Sequence, residues 1–235
     1  MVRVEEEVQK NAPHLRVTCV QPFYADPDYI EALYSVTAPY LAQQHDHVLF
    51  SYHGVPVRHL RKYGCTRGRS PDACDCCPPG SVSHATCYRA QVFATTRALA
   101  SRAGIPRDRY SVSFQSRLAG EPWCQPFTDS ELARLPAAGV ERLLVVCPAF
   151  VTDCLETLEE ISVAGKKIFL EAGGKSFQQI PCLNDQPAYI DFLAGRIERW
   201  LINSDVEPWY ASNRPRNEHG ANEIVVPASI LSQLS

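Results

Sequence analysis

The 235-residue sequence has no apolar run approaching the roughly 18 residues that a helix needs to cross a bilayer. A transmembrane reading is therefore excluded, while a peripheral membrane contact stays open. The opening segment, MVRVEEEVQKNAPH, is acidic and polar, with no apolar stretch after a basic start, so it does not read as a secretory signal. Basic charge is not in excess either. A net charge of −3 leaves no electrostatic footprint for nucleic acid. Gly-rich phosphate loops are missing after every apolar run, which disfavours a nucleotide ligand. Internal repeats are absent. The composition, 45% apolar and 21% charged, is that of a globular chain with a core.

Short solid apolar runs alternate with helical periods. Strands are expected at His47–Tyr52, Tyr110–Gln115, Arg142–Pro148 and Lys167–Leu170, and a further apolar run lies within His14–Pro22. Helices are expected over 2–11, 28–44 (with a kink at Pro39), 83–103, 130–135, 152–163 and 188–202. Residues 64–82 read as a loop, and 203–235 as a poorly ordered tail. Solid apolar strands separated by helices predict an α/β fold, a doubly wound parallel sheet with helices on both faces. In such sheets ligands gather at the carboxyl ends of the strands. Three of those ends deliver HGVP (53–56), QSR (115–117) and the run from Pro148 to Asp153.

Ten cysteines are many for an intracellular chain. Five are scattered: Cys19, Cys124, Cys147, Cys154 and Cys182. Two of these, Cys19 and Cys147, lie inside apolar runs, where a free thiol acts as a small hydrophobe. That pattern points to a reducing compartment, expected to be the cytoplasm. Cys65, Cys74, Cys76, Cys77 and Cys87 crowd into one segment and need a separate explanation.

Three groups of residues can carry chemistry. His53 stands directly after a buried strand, and Gly54 and Pro56 stop that strand sharply. It can cap the strand end, exchange protons near neutral pH, or bind a metal. Asp153, Glu156 and Glu160 are spaced i, i+3 and i+7, which on a regular helix puts them within about 60° of each other. They can be an ordinary charged face with Asp153 at the helix start. At the mouth of a sheet they can instead hand protons outward or hold a divalent cation, and a crevice there is expected to raise at least one pKa. Trp123 lies between prolines in FQSRLAGEPWCQPFTD (114–129). It is either a core aromatic or an apolar wall for a flat ligand, with Gln115, Ser116 and Arg117 presented from the strand end.

In order and spacing, FSYHGVP (50–56), SVSFQSRLAGEPWCQPFTD (111–129), VVCPAFVTDCLETLEEI (145–161) and IPCLND (180–185) resemble the motifs of the ferrochelatase family. The likeness runs from about residue 14 to 202. It implies insertion of ferrous iron into a porphyrin, protoporphyrin more than coproporphyrin, in the cleft between two similar parallel-sheet domains. By resemblance, His53 is the catalytic histidine and Glu156 the catalytic glutamate, both at the iron site. Asp153 and Glu160 match the family's acidic line leading away from that site. Trp123 and Phe150 match the aromatics that bound the porphyrin. Cys154 stands where many relatives carry a histidine.

The segment GCTRGRSPDACDCCPPGSVSHATCYRAQ (64–91) resembles an insert of some bacterial ferrochelatases, in which four cysteines hold a 2Fe–2S cluster. The match is Cys65, Cys76, Cys77 and Cys87, with Cys74 able to replace Cys65. By the same resemblance, residues 1–185 form the family's carboxyl-terminal domain, with the insert at 64–88. Helix 186–202 is expected to pack against a first domain of which most is absent. Three readings follow for the chain: a piece of an active enzyme, a short porphyrin-, haem- or metal-binding protein without turnover, or an iron–sulfur interaction module.

Overall fold

The structure, a computed structural model, describes residues 2–15, 22–62 and 86–202. The apolar run within 14–22, the cysteine-rich loop and the tail lie largely or wholly outside the described residues, as do Cys19, Cys65, Cys74, Cys76 and Cys77.

The chain divides into two compact units. The first comprises residues 1–23 and 191–235, the second Tyr24–Ile190. In the first, helix α1 spans Val2–Asn11. Phe23 meets Phe192 edge-on at 5.3 Å, and the Arg196 guanidinium lies over both rings.

The second unit is an α/β layer structure. In chain order it holds α2 (Pro27–Leu41), β1 (His47–His53), α3 (Val57–Lys62), α4 (Tyr88–Arg102), β2 (Tyr110–Gln115), α5 (Thr128–Arg134), β3 (Arg142–Val146), α6 (Leu155–Leu158), α7 (Lys166–Glu171) and β4 (Ser176–Gln179). A π-helix, Glu160–Gly165, joins α6 to α7, and α8 (Pro187–Ile202) continues from this unit into the other. Among the described residues the sheet has four strands in the order β2-β1-β3-β4, every pair parallel. This is the fold class that alternation predicts.

Both faces of the sheet are covered, which is why its central strands read as unbroken apolar runs. Six of the seven residues of β1 are buried. Leu49, Leu143, Val145 and Phe177 pack with Leu132, Leu135, Ile161 and Phe169 on one face. On alternate positions of β1, Tyr52 is 1% exposed, and its hydroxyl pairs with Thr96 of α4 at 2.8 Å. Asp26 starts α2 by accepting the Asp28 N–H, and Pro27 fills the first helical position. Pro39 falls in the last turn, two residues before the helix ends.

Two expectations are corrected. Lys167–Leu170 is not a strand but lies within α7, with Phe169 buried and Leu170 at the surface. A four-residue apolar run cannot distinguish the two by period. The fourth strand comes later, at Ser176–Gln179. One of its two inward positions is Gln179, satisfied by Ser162 and by the Ile180 carbonyl, so its apolar alternation is hidden. Nor is 152–163 one helix: α6 has four residues and gives way to the π-helix.

Candidate active site

The carboxyl ends of β1 and β2 lie side by side, with His53 in register with Gln115. Gly54 must follow His53 because a Cβ there would meet the Gln115 carbonyl oxygen at 3.0 Å and the Trp123 ring at 3.3 Å. The chain then pairs Pro56 with Trp123, and Cys124 N–H donates to the Val55 carbonyl at 3.0 Å. This stitching brings Trp123 to His53. The His53 ring centroid is 6.5 Å from that of Trp123 and 6.3 Å from that of Phe150. Trp123 is 9% exposed, Phe150 half-buried.

The His53 imidazole is half-buried. Its Nδ1 lies 2.6 Å from the Gly54 carbonyl oxygen, so Nδ1 carries the hydrogen and donates it. The neutral ring therefore keeps its lone pair on Nε2, available to a proton or a metal. The strand end is held from behind by Tyr88, whose hydroxyl donates to the His53 carbonyl at 2.7 Å.

After β3, the Phe150 N–H donates to the Cys147 carbonyl, and the chain turns into α6. Cys154 caps that helix. Its backbone N–H donates to the Thr157 hydroxyl at 3.0 Å, and its sulfur accepts the Thr157 N–H. The Cys154 side chain also hydrogen-bonds Glu156. That bond, then the glutamate's own backbone and last the charge of His53, hold the Glu156 carboxyl below its ordinary range. Asp153 is embedded in the loop that follows β4. Its carboxylate accepts from Asn184 at 2.7 Å, Thr157 at 3.1 Å and the Cys182 N–H at 3.3 Å. Burial pushes the Asp153 carboxyl up, but these donors outweigh it and leave the pKa lowered. The expected rise is thus reversed at Asp153 and Glu156: each carboxylate has donors of its own in place of a like-charged neighbour.

The regular row of carboxylates is also corrected. Asp153 precedes α6, and the π-helix widens the turn that carries Glu160. Glu160 faces β2, where it accepts the Ser116 backbone N–H at 2.8 Å and the Ser116 hydroxyl. Ser116 has a left-handed backbone, φ 62°, which turns both donors toward Glu160.

The three residues leaving β2 differ in what they engage. Gln115 is 2% exposed, and its amide is engaged with Ser51 and the Glu156 carbonyl, so it meets the floor of the adjoining groove with its hydrogen bonds already made. Arg117 makes a two-pronged pair with Asp129 at 2.8 and 2.9 Å and stacks 4.0 Å over Phe127. An open groove of about 460 Å³ is lined by Gln115, Ser116, Arg117, Thr128, Asp129 and Glu160 among others. His53, Trp123 and Phe150 do not line it.

Of the expected cluster ligands, Cys87 alone is described. It is fully buried at the amino end of α4. Among the described residues, no three His, Cys, Asp or Glu side chains are grouped to hold a metal ion. Also among the described residues, no helix is long and apolar enough to cross a membrane.

Asn184, Thr128 and Ser51 also hold the site together. Asn184 lies in the IPCLND motif and has φ 47°, a conformation asparagine favours, and that was the available signal. Ser51 and Thr128 carry no local signal, since their partners are on other elements.

A family model described as Ferrochelatase matches residues 1–201. The ferrochelatase of Opitutus terrae is 66% identical over 201 residues, which is 86% of this chain and 58% of that protein. The ferrochelatase of Pseudomonas entomophila is 51% identical over 185 residues, 78% of this chain and 55% of that protein. That of Pseudomonas putida strain W619 is 47% identical over 195 residues, 83% and 58% respectively. The chain thus spans rather more than half the length of these curated relatives.

Proposed function

The chain belongs to the ferrochelatase family, and from that premise we propose that it carries the iron-insertion centre of a ferrochelatase, a lyase-type metal chelatase of haem biosynthesis. The observation that supports this most is His53 at the strand end. Two aromatic rings flank it, Nδ1 is committed to a carbonyl, and an ionised Glu156 stands within reach of its charge.

Iron enters a free-base porphyrin only as two pyrrole N–H protons leave. His53 Nε2, the ring nitrogen left free by the Nδ1 hydrogen bond, is the base that accepts them. Glu156 passes them on, and Glu160, bordering the open groove, gives them an outlet to water. Phe150 and Trp123 wall the macrocycle, and their contact favours a distorted ring whose lone pairs face the metal. Ferrous iron, the substrate, accepts imidazole and carboxylate. His53 Nε2 and Glu156 hold it loosely until it passes to the ring, and only then is the single Nε2 lone pair free for a pyrrole proton. Asp153 fixes the start of α6, a structural part in place of the proton-carrying part that the resemblance implies. The porphyrin is protoporphyrin in this reading, and the work is cytoplasmic.

The reading includes a 2Fe–2S cluster on Cys65, Cys76, Cys77 and Cys87, with Cys74 as substitute for Cys65. Its support is cysteine spacing together with the burial of Cys87 beside a helix start. Thiolates supply the donor set that such clusters take.

The alternative reading is porphyrin binding without turnover. A porphyrin titration combined with an iron-insertion assay on this chain separates them. Binding with product formation supports the first, and binding alone supports the second. Absence of binding contradicts both.

A further inference from the structure

We propose that Gln115 is a positioning residue: its buried amide clamps the α6–π segment at two points and so sets where Glu156 presents its carboxyl. The inference rests on the reading of Glu156 as part of the iron-insertion centre.

Gln115 Nε2 donates to the Glu156 carbonyl at 2.6 Å and reaches the Glu160 carboxylate at 3.4 Å. Its Oε1 accepts from Ser51 at 2.7 Å, with the Cys147 thiol 3.8 Å away. Ser51 in turn contacts Thr128 at 2.9 Å, and Thr128 contacts Ser113 at 2.8 Å. Each hydroxyl has one hydrogen to give. Because Ser51 gives its own to Gln115, Thr128 must donate to Ser51, and Ser113 to Thr128. The chain therefore runs one way, Ser113 to Thr128 to Ser51 to Gln115 to Glu156. All four side chains are at most 3% exposed. This fixes the amide orientation, since a flipped Gln115 would set its oxygen against the Glu156 carbonyl and the Glu160 carboxylate.

A side chain that takes a carbonyl out of the helical ladder is a recognised cause of local widening. Here α6 ends two residues after Glu156, and the π-helix starts at Glu160. The two clamped points bracket that change. The seat of Glu156 is thus set from the sheet, through a side chain whose hydrogen bonds are already made within the protein.

Gln115→Met keeps the length of the side chain and removes its donor and acceptor. Gln115→Glu keeps an acceptor for Ser51 and removes the donors. Ser51→Ala is a milder change that releases the amide orientation. In hydrogen-exchange mass spectrometry of the full chain, amides of 155–165 should exchange about tenfold faster in both Gln115 variants and less so in Ser51→Ala. Peptides from α2 and β3 should stay within about twofold. In the iron-insertion assay kcat should fall at least about tenfold, with the porphyrin KM within about twofold. A merely structural lesion would raise exchange throughout and leave the kcat of the folded fraction unchanged. Unchanged exchange at 155–165, or unchanged kcat, overturns the proposal. If the wild-type chain makes no product, the functional reading falls, and the exchange result alone decides the clamp.

Discussion

Asp153 and Asn184 exchange two hydrogen bonds: the Asn184 amide donates to the Asp153 carboxylate at 2.7 Å, and the Asp153 backbone N–H returns one to the Asn184 side-chain oxygen at 2.9 Å. The pair ties the start of α6 to the loop after β4. Two carboxylates three residues apart thereby take different work, Asp153 holding the frame and Glu156 standing at the surface. Asp153→Asn should lower stability by about 1–3 kcal/mol, because it sets one amide against another and weakens acceptance from Cys182 and Thr157. Glu156→Gln should leave stability within about 0.5 kcal/mol and abolish iron insertion. Urea unfolding beside the activity assay separates the two, and a reversed pattern would contradict the assignment.

His47 lies at the opposite, amino-terminal end of β1. It is 8% exposed, with Nε2 2.8 Å from the Ser111 hydroxyl. Burial above all, and then the charges of Arg134, Arg109 and Arg107 against that of Glu131, lower its pKa from 6.5 to about 4. Between these values the unfolded chain binds a proton that the folded chain does not. Stability is therefore full above pH 6.5 and declines as pH falls toward 4. Between pH 7.5 and 5 the loss from this residue should be about 2 kcal/mol. His47→Gln should flatten that part of the urea-midpoint profile. An unchanged slope would show that His47 is not its source.

Gly54 touches both the Gln115 carbonyl and the Trp123 ring. Gly54→Ala should cost about 1–3 kcal/mol through overpacking and shift tryptophan emission as Trp123 moves away from His53. Wild-type stability and an unaltered spectrum would mean that the contact yields freely.

The cysteine-rich insert makes an optical prediction. Protein purified without oxygen should absorb in the visible range, and Cys76→Ser should bleach it. Colourless protein holding zinc would contradict the 2Fe–2S reading.

The sequence reveals β1 and β3 because each is covered on both faces and reads as a nearly solid apolar run, and β2 because Tyr110, Val112 and Phe114 alternate with polar residues. It hides β4, whose inward Gln179 is paid for by partners on other elements. His53 is legible from its place at a strand end. Glu156 is legible as one of a spaced row of carboxylates, and the resemblance alone sets it apart from Asp153 and Glu160. The π-helix was not legible, since the Gln115 amide that meets Glu156 comes from a strand some forty residues earlier in the chain, and a helical period drawn on 152–163 alone puts Asp153, Glu156 and Glu160 on one face. The hydrogen bonds of Gln115 are illegible for the same reason. A polar residue at a strand end can serve a ligand or the backbone of a neighbouring helix, and local pattern does not tell these apart.

The most direct measurement is iron insertion and porphyrin binding by the wild-type chain and by His53→Ala, read from the porphyrin and haem absorption bands. The wild-type chain should bind porphyrin and form haem. His53→Ala should bind porphyrin within about threefold of wild type and form haem at least about a hundredfold more slowly, in line with the loss of a general base. Normal haem formation by His53→Ala would contradict the placement of the centre at His53.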